Sequence, residues 1–227
     1  YEIAEVARQQ GRDPRNVVEI PRASDLADRT QKLLDFLEPR TTANQIRLLT
    51  EHHEGNREKV ALDISKIVSA ETYLYGKRAT CEECEGEGSV KQGNWTHDCT
   101  ACDAKGITFT YGDKVTTNTW EETLEELKEE TIKSSDRVLL STSIYHGICA
   151  GLAVLTEGIL VAPLDGVVSA HILDNADGSQ CLGINYAGPI RSAGGTGQAL
   201  SVLIGDLLRR QFGLAPAMVT HEETERY

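Results

Sequence analysis

Apolar residues recur at three- and four-residue intervals through the first third of the chain, the period of helices that bury one face. Residues 2–9 predict a short helix ended by Gly11 and Pro14, and residues 16–21 an extended connector. Ser24 is placed to cap a helix over residues 25–37, with Leu26, Leu33, Leu34 and Leu37 on one side and Pro39 beyond its end. A second amphipathic segment starts at Thr42 and carries Ile46, Leu48 and Leu49. A third covers residues 56–69, with Val60, Ile64 and Ile67 in one stripe.

The texture changes at residue 80. Residues 80–119 are short runs of Cys, Gly, Thr and aromatic residues, as in a small inserted module. Residues 120–133 predict an acidic helix with Leu124, Leu127 and Ile132 inward and a solvated glutamate face. Asp136 or Ser135 caps a long apolar helix running to residue 156, ended by Gly158. Residues 159–162, 166–173 and 180–187 read as strands, with Asp174-Asn175-Ala176-Asp177-Gly178-Ser179 turning between the last two. Residues 196–212 form a final helix, ended by Gly213 and Pro216. The predicted class is α+β. Its parts are a helical region over residues 1–79, a zinc-knuckle insertion over 80–119, and an α+β region over 120–227 in which a long helix and a small antiparallel sheet lead into a glycine-rich loop and helix.

At 227 residues the chain is long enough to bury a proper core. It starts at Tyr1 and stops in an acidic stretch with neither cap nor breaker, so it reads as a segment of a longer protein. The formal charge of −12 argues against wrapping nucleic acid over the whole surface; any such contact is local, through a few arginines. The least charged run, residues 138–156, contains His146 and a Gly147-x-x-x-Gly151 spacing. With its hydrophobicity diluted by His146 and several hydroxyl residues, it fits a buried core helix better than a membrane span. No charged-then-apolar leader is present, so a cytoplasmic protein with reduced thiols is expected.

Cys81-x-x-Cys84 and Cys99-x-x-Cys102 are two thiolate pairs separated by fourteen residues. Zinc takes four tetrahedral soft ligands, and each CxxC turn offers two from one tight knuckle. Gly86, Gly88 and Gly106 permit the tight backbone from which N–H groups reach sulfur. Four free thiols or a redox pair are the competing readings, and both weigh less in a cytosolic chain carrying two CxxC units. One structural zinc, with Cys81, Cys84, Cys99 and Cys102 as ligands, is therefore expected. His97 reads as an exposed loop residue, and Cys149 and Cys181 as inert small core residues. Cys81-Glu82-Glu83-Cys84-Glu85-Gly86-Glu87-Gly88 resembles the repeat of DnaJ-type chaperones. One good copy, one degraded copy and no His-Pro-Asp mark this as local convergence.

Near the C-terminal end, Gly188-Pro189-Ile190-Arg191-Ser192-Ala193-Gly194-Gly195-Thr196 joins a strand to a helix. Backbone N–H groups, a helix N-terminus and one guanidinium make an anion receptor. Arg191, Ser192, Gly194, Gly195 and Thr196 are the candidate contacts to phosphate or nucleic acid. A tight structural turn with Arg191 paired inside the protein fits the same residues equally well. Asp174 and Asp177 around Asn175 are hairpin-turn chemistry rather than a pair of metal-binding carboxylates.

Residues 186–203, together with Leu155-Thr156-Glu157-Gly158-Ile159-Leu160-Val161-Ala162-Pro163-Leu164-Asp165-Gly166, closely resemble the large subunit of archaeal family D DNA polymerases. Tyr1-Glu2-Ile3-Ala4, Val18-Glu19-Ile20-Pro21 and Asp25-Leu26-Ala27-Asp28-Arg29 resemble the N-terminal region of that subunit. The resemblance covers residues 1–66 and 138–227 and leaves the cysteine module as a lineage-specific insertion. It implies a DNA-directed DNA polymerase acting on a DNA primer–template, with a small proofreading exonuclease subunit as partner and the sliding clamp as a further candidate. It also implies catalytic aspartates holding Mg²⁺ downstream of this segment, so no catalytic residue is nominated here. The alternative function is a non-catalytic zinc-containing module that binds nucleic acid or protein.

Overall fold

The computed structural model describes residues 24–28, 30, 43–93, 95–100, 107–111, 119–130, 132, 136–155, 166–187 and 195–218. Among these, the chain runs α1 (Ala43–His52), α2 (Arg57–Tyr75), β1 (Gly76–Thr80), β2 (Ser89–Gln92), β3 (Trp95–Asp98) and β4 (Ile107–Tyr111). It continues through α3 (Trp120–Glu129), α4 (Arg137–Leu155), β5 (Val167–Asp174), β6 (Gln180–Tyr186) and α5 (Gly195–Gln211). The strands form three antiparallel pairs, β1–β4, β2–β3 and β5–β6. This is the expected α+β mixture. The elements predicted over residues 2–9, 16–21 and 159–162 lie outside the described residues.

Local chemistry explains most element boundaries. Asp25 Oδ1 accepts the Asp28 N–H at 2.7 Å, so Asp25, not Ser24, is the capping residue. Asn56 Oδ1 accepts the Lys59 N–H at 3.0 Å and starts α2, which ends at Tyr75 rather than at 69. No breaker occurs before Gly76, and Ala70, Tyr73 and Tyr75 bury against neighbouring helices. A capping box joins Thr119 and Glu122 at the start of α3, which stops at Glu129, short of the predicted 133. Asp136 Oδ1 receives the Leu139 N–H at 3.1 Å and caps α4. In α1, Ile46 and Leu49 are fully buried but Leu48 is 56% exposed, because it projects outside the stripe the other two share.

The core forms where α2 and α4 cross. Ile64 and Ile67 of α2 and Leu140, Ile144, Ile148 and Leu152 of α4 are all fully buried. By length and composition α4 is apolar enough to cross a membrane, yet most of it is enclosed by the fold. Small residues make the crossing close. A methyl group on Gly147 would come within 2.6 Å of the Ser65 carbonyl oxygen and 2.9 Å of Ser69 Cβ. On Gly151 it would collide with Ser65 Oγ, which is held by the Ala61 carbonyl at 2.8 Å.

Val167, Ala170 and Ile172 turn the inner face of the β5–β6 pair toward this core. Ile204 and Leu208 of α5 close it from another side. Tyr186 Oη lies 2.7 Å from Ser201 Oγ, tying β6 to α5. Gln211 Nε2 donates to the Lys66 carbonyl at 3.2 Å and to Ser69 Oγ at 3.3 Å, tying α5 to α2. Beyond Gly213, whose φ of 68° ends the helix, the chain returns to the β5–β6 turn. There Asn175 donates to the Pro216 carbonyl at 3.0 Å and accepts the Met218 N–H at 2.9 Å.

One charged side chain sits inside this packing. Glu71 of α2 is 1% exposed, and neither carboxylate oxygen has a hydrogen bond of good geometry. Burial pushes its pKa from 4.5 up to about 8, against a small opposing pull from the neighbouring Gln45 amide. The folded chain therefore keeps a proton that the unfolded chain releases above 4.5. Stability contributed by the neutral form is complete below pH 4.5 and declines as pH rises toward 8.

Two stability predictions follow from this packing. Gly147→Ala should cost about 1–3 kcal/mol through overpacking against backbone, read as a lower urea midpoint with unchanged slope. An unchanged midpoint would remove the close crossing as a constraint. Glu71→Gln should raise stability at neutral pH and flatten its decline between pH 4.5 and 8; parallel pH profiles for the two proteins would refute the buried-acid assignment.

Candidate metal centre

The cysteine module grows directly from the end of α2. Gly76 is both the C-cap of that helix and the first residue of β1. β1 pairs along its whole length with β4, from Gly76 opposite Tyr111 to Thr80 opposite Ile107, making a stem. The chain between these strands carries the first cysteine knuckle, the β2–β3 hairpin and Cys99.

Backbone geometry shapes the knuckle. Glu85, Gly86 and Gly88 have φ values of 50°, 91° and 72°, the left-handed region that glycine tolerates best. This curl brings the Glu87 N–H to the Cys84 carbonyl at 2.9 Å and the Gly88 N–H to Cys84 Sγ at 3.3 Å. The expected N–H···S contact is thus present at Gly88. The Cys99 N–H then bonds the Gly88 carbonyl at 2.9 Å, bringing the second cysteine segment up against the first.

Cys81, Cys84 and Cys99 are 2%, 5% and 1% exposed, and their sulfurs all lie within 4.8 Å of one another. Cys81 Sγ and Cys99 Sγ are 3.9 Å apart. Tetrahedral Zn–S bonds of about 2.3 Å place two sulfurs roughly 3.8 Å apart, so this spacing suits a shared ion. A disulfide would need about 2.05 Å, and no disulfide joins these three. Three converging buried thiols are a donor set that fits a soft metal. Among the described residues, their one apolar companion in the cluster is the partly buried Val90.

Among the described residues, several candidates stand apart from this group. Cys102 lies outside the described residues. His97 is exposed on β3, opposite Val90, and is not among the converging ligands. Cys149 and Cys181 are buried in the main fold, and burial pushes the Cys149 thiol up to about 12, as expected for an inert core cysteine. Asp177 Oδ1 accepts the Ser179 N–H at 2.9 Å and hydroxyl at 2.6 Å, while Arg137 takes both oxygens of Asp174 at 2.9 and 2.6 Å. Both carboxyls are held below their ordinary range, Asp177 by Ser179 and Asp174 by Arg137. The turn reading of these aspartates therefore stands.

Arg191, Ser192 and Gly194 of the glycine-rich loop lie outside the described residues. Gly195 opens α5 with a φ of 73°, and Thr196 is exposed in its first turn. Sequence reasoning did not single out Glu71 or the Arg137–Asp174 pair. Glu71 lies in a stretch also carrying Ala70, Tyr73 and Leu74, and an acid inside an apolar stripe was the available signal. No local signal links Arg137 to Asp174 across thirty-seven residues.

Comparison with known proteins extends the resemblance through most of the module. The family described as DNA polymerase II large subunit DP2, N-terminal, matches residues 1–87 and 103–227. Cys81 and Cys84 thus fall within the family pattern, and only residues 88–102 lie outside it, a narrower departure than the 80–119 insertion read from the sequence. DNA polymerase II large subunits of Thermoplasma volcanium and Thermoplasma acidophilum are 35% and 34% identical over all 227 residues, which cover 14% of each relative. The subunit of Methanosphaera stadtmanae is 34% identical over the same span, 15% of its length. The chain thus spans about one seventh of the length of these relatives. With the correspondence carried along nearly all of its residues, the chain belongs to the DNA polymerase II large subunit family and represents its N-terminal region.

Proposed function

We propose that this chain is the N-terminal portion of a replicative, DNA-directed DNA polymerase of the archaeal family D type, working in the cytoplasm. The observation that carries the proposal is the match to large-subunit sequences along the full chain. In this reading the segment is a folded support rather than the reaction centre. Among the described residues, the only group of metal-ligand side chains is the cysteine cluster, whose soft donors do not suit Mg²⁺. Catalytic aspartates and their Mg²⁺ belong to the rest of the large subunit, the exonuclease subunit is its partner, and primer–template DNA is its substrate. The sliding clamp is a further partner in the same reading. Its domains are the helical region over residues 1–79, the zinc module over 80–119 and the α+β region over 120–227.

The module's role in this reading is structural. Cys81, Cys84 and Cys99, with Cys102 as fourth ligand, hold one zinc that cross-links the two cysteine segments at the end of the β1–β4 stem. A complete thiolate sphere leaves no open position for a substrate or water. The glycine-rich loop, through Arg191, Ser192, Gly194, Gly195 and Thr196, contacts nucleic-acid phosphate or braces the catalytic core. The helix start at Gly195 supports a phosphate contact, because the first N–H groups of α5 lack intrahelical acceptors.

The large subunit co-expressed with its exonuclease partner should extend a primer with Mg²⁺, and absence of template-directed extension would overturn the polymerase reading. Cys84→Ser should lower zinc content by one equivalent per chain and expose residues 81–100 to proteolysis; unchanged zinc content would leave a set of free thiols. Arg191→Ala should weaken primer–template binding and reduce its salt dependence by about one unit of slope. Unchanged binding would leave the rigid-turn reading.

A further inference from the structure

One tight turn joins α1 to α2, and in it Glu54 and Gly55 have φ values of 53° and 77°. The contacts between the two helices run antiparallel from that turn. Beside it, His53 Nε2 lies 2.7 Å from Asp63 Oδ2. Midway, Ile46 and Leu49 are buried with Ile64, Ile67 and Val68. At the far end Gln45 of α1 meets Glu71 of α2. Glu71 is 1% exposed, and neither carboxyl oxygen has a hydrogen bond of good geometry. Charged groups on the surrounding elements are directed elsewhere. Arg47 reaches Asp25 at 3.3 Å, Lys66 shares Asp63 with His53 at 2.8 Å, and Glu126 of α3 accepts the Tyr75 hydroxyl at 2.8 Å. His146 of α4 faces Thr72 at 3.4 Å, while Glu51, His52 and Lys77 are exposed. Among the described residues, the one side chain acting on the Glu71 carboxyl is the Gln45 amide.

We propose that Glu71 and Gln45 form a proton-operated clasp: while the carboxyl is neutral α1 stays closed on α2, and loss of the proton lets α1 swing out about the Glu54–Gly55 turn. A neutral carboxyl offers an O–H and a carbonyl oxygen, and an amide offers N–H groups and a carbonyl oxygen, so the two are complementary. A carboxylate only accepts, and here its charge would lie enclosed with no cation to offset it. Water must then reach it, and α1 is the wall that yields most readily. It is ten residues long and turns Arg47, Leu48, Glu51 and His52 to solvent, whereas α4 is enclosed over most of its surface. Elements with few buried contacts open first. Opening returns Glu71 from a pKa of about 8 to its ordinary 4.5. The closed form therefore holds a proton that the open form releases, and opening becomes easier as pH rises between those two values.

Amide hydrogen exchange of the full-length large subunit tests the clasp, read by mass spectrometry on peptides from α1 and α4 and corrected for intrinsic rates. Protection across α1 should fall about tenfold per pH unit between pH 6 and 8, level off above, and stay below that of α4 throughout. Glu71→Gln keeps the shape and removes the charge, so α1 protection in that variant should not change with pH. A slope that survives in the variant belongs to another group, His53 being the nearest on the hinge side, and overturns the proposal. A flat α1 profile in the wild type overturns it too. So does loss of protection in α1 and α4 together, which would mean that Glu71 acts only on the stability of the whole fold. These last two outcomes are read on the wild type and decide the matter even if Glu71→Gln does not fold.

Discussion

The close crossing of α2 and α4 is the constraint around which the other elements arrange themselves. Gly147 and Gly151 on one helix meet Ala61, Ser65 and Ser69 on the other at distances that leave no room for a methyl group. Buried serines at such a contact need acceptors, and each finds one on its own helix, Ser65 at the Ala61 carbonyl and Ser69 at the Lys66 carbonyl. The hydroxyls are thereby satisfied without widening the gap. Gln211 then joins α5 to the same seam through Ser69 and the Lys66 carbonyl. One small-residue stripe thus positions three helices, and the β5–β6 pair packs on what they present.

The cysteine module follows from this frame and differs from it in kind. α2 ends at Gly76 and the stem begins at the same residue, so the rigid helix is the module's anchor. Beyond the stem, the described residues form almost no apolar core. All four residues of β3 are exposed, Trp95 at 80%, and the buried cluster is three thiols with Val90 beside them. A two-stranded hairpin without a hydrophobic face is marginal in water. Converging thiols give such a segment a ligand-bonded centre in place of an apolar one. Four exposed glutamates around the knuckle, Glu82, Glu83, Glu85 and Glu87, keep that centre at an acidic surface.

The cleft between α2, α3 and α5 shows how the same helices present outward what they do not spend inward. Leu127 contributes to the main core and to the cleft wall at once. Gln211 uses its nitrogen for the helix seam, while its oxygen is buried without a donor. Cleft and scaffold share residues here, whereas the cysteine centre is built apart from the core.

Local chemistry was legible along the chain because each signal lies within a few residues. The Asn56, Thr119 and Asp136 caps, the Asn175–Gly178 turn and the CxxC knuckle are all short-range interactions. Where the reading shifted by a residue or stopped early, as at Asp25 and at the end of α2, neighbouring residues offered equivalent local choices. Periodicity marked α4 as apolar and noted its paired glycines, but could not say what they faced, since Ser65 is some eighty positions away. The Arg137–Asp174 pair and the grouping of Lys66, Lys128 and Arg210 around the cleft were invisible for the same reason, and the apolar neighbours of Glu71 in sequence did not show that its carboxyl would be buried without a partner. Each depends on side chains from different helices or strands brought together by packing. Secondary structure, thiol chemistry and family were therefore written in the residue order; which polar groups lie buried, paired or left open was settled when the helices closed on one another.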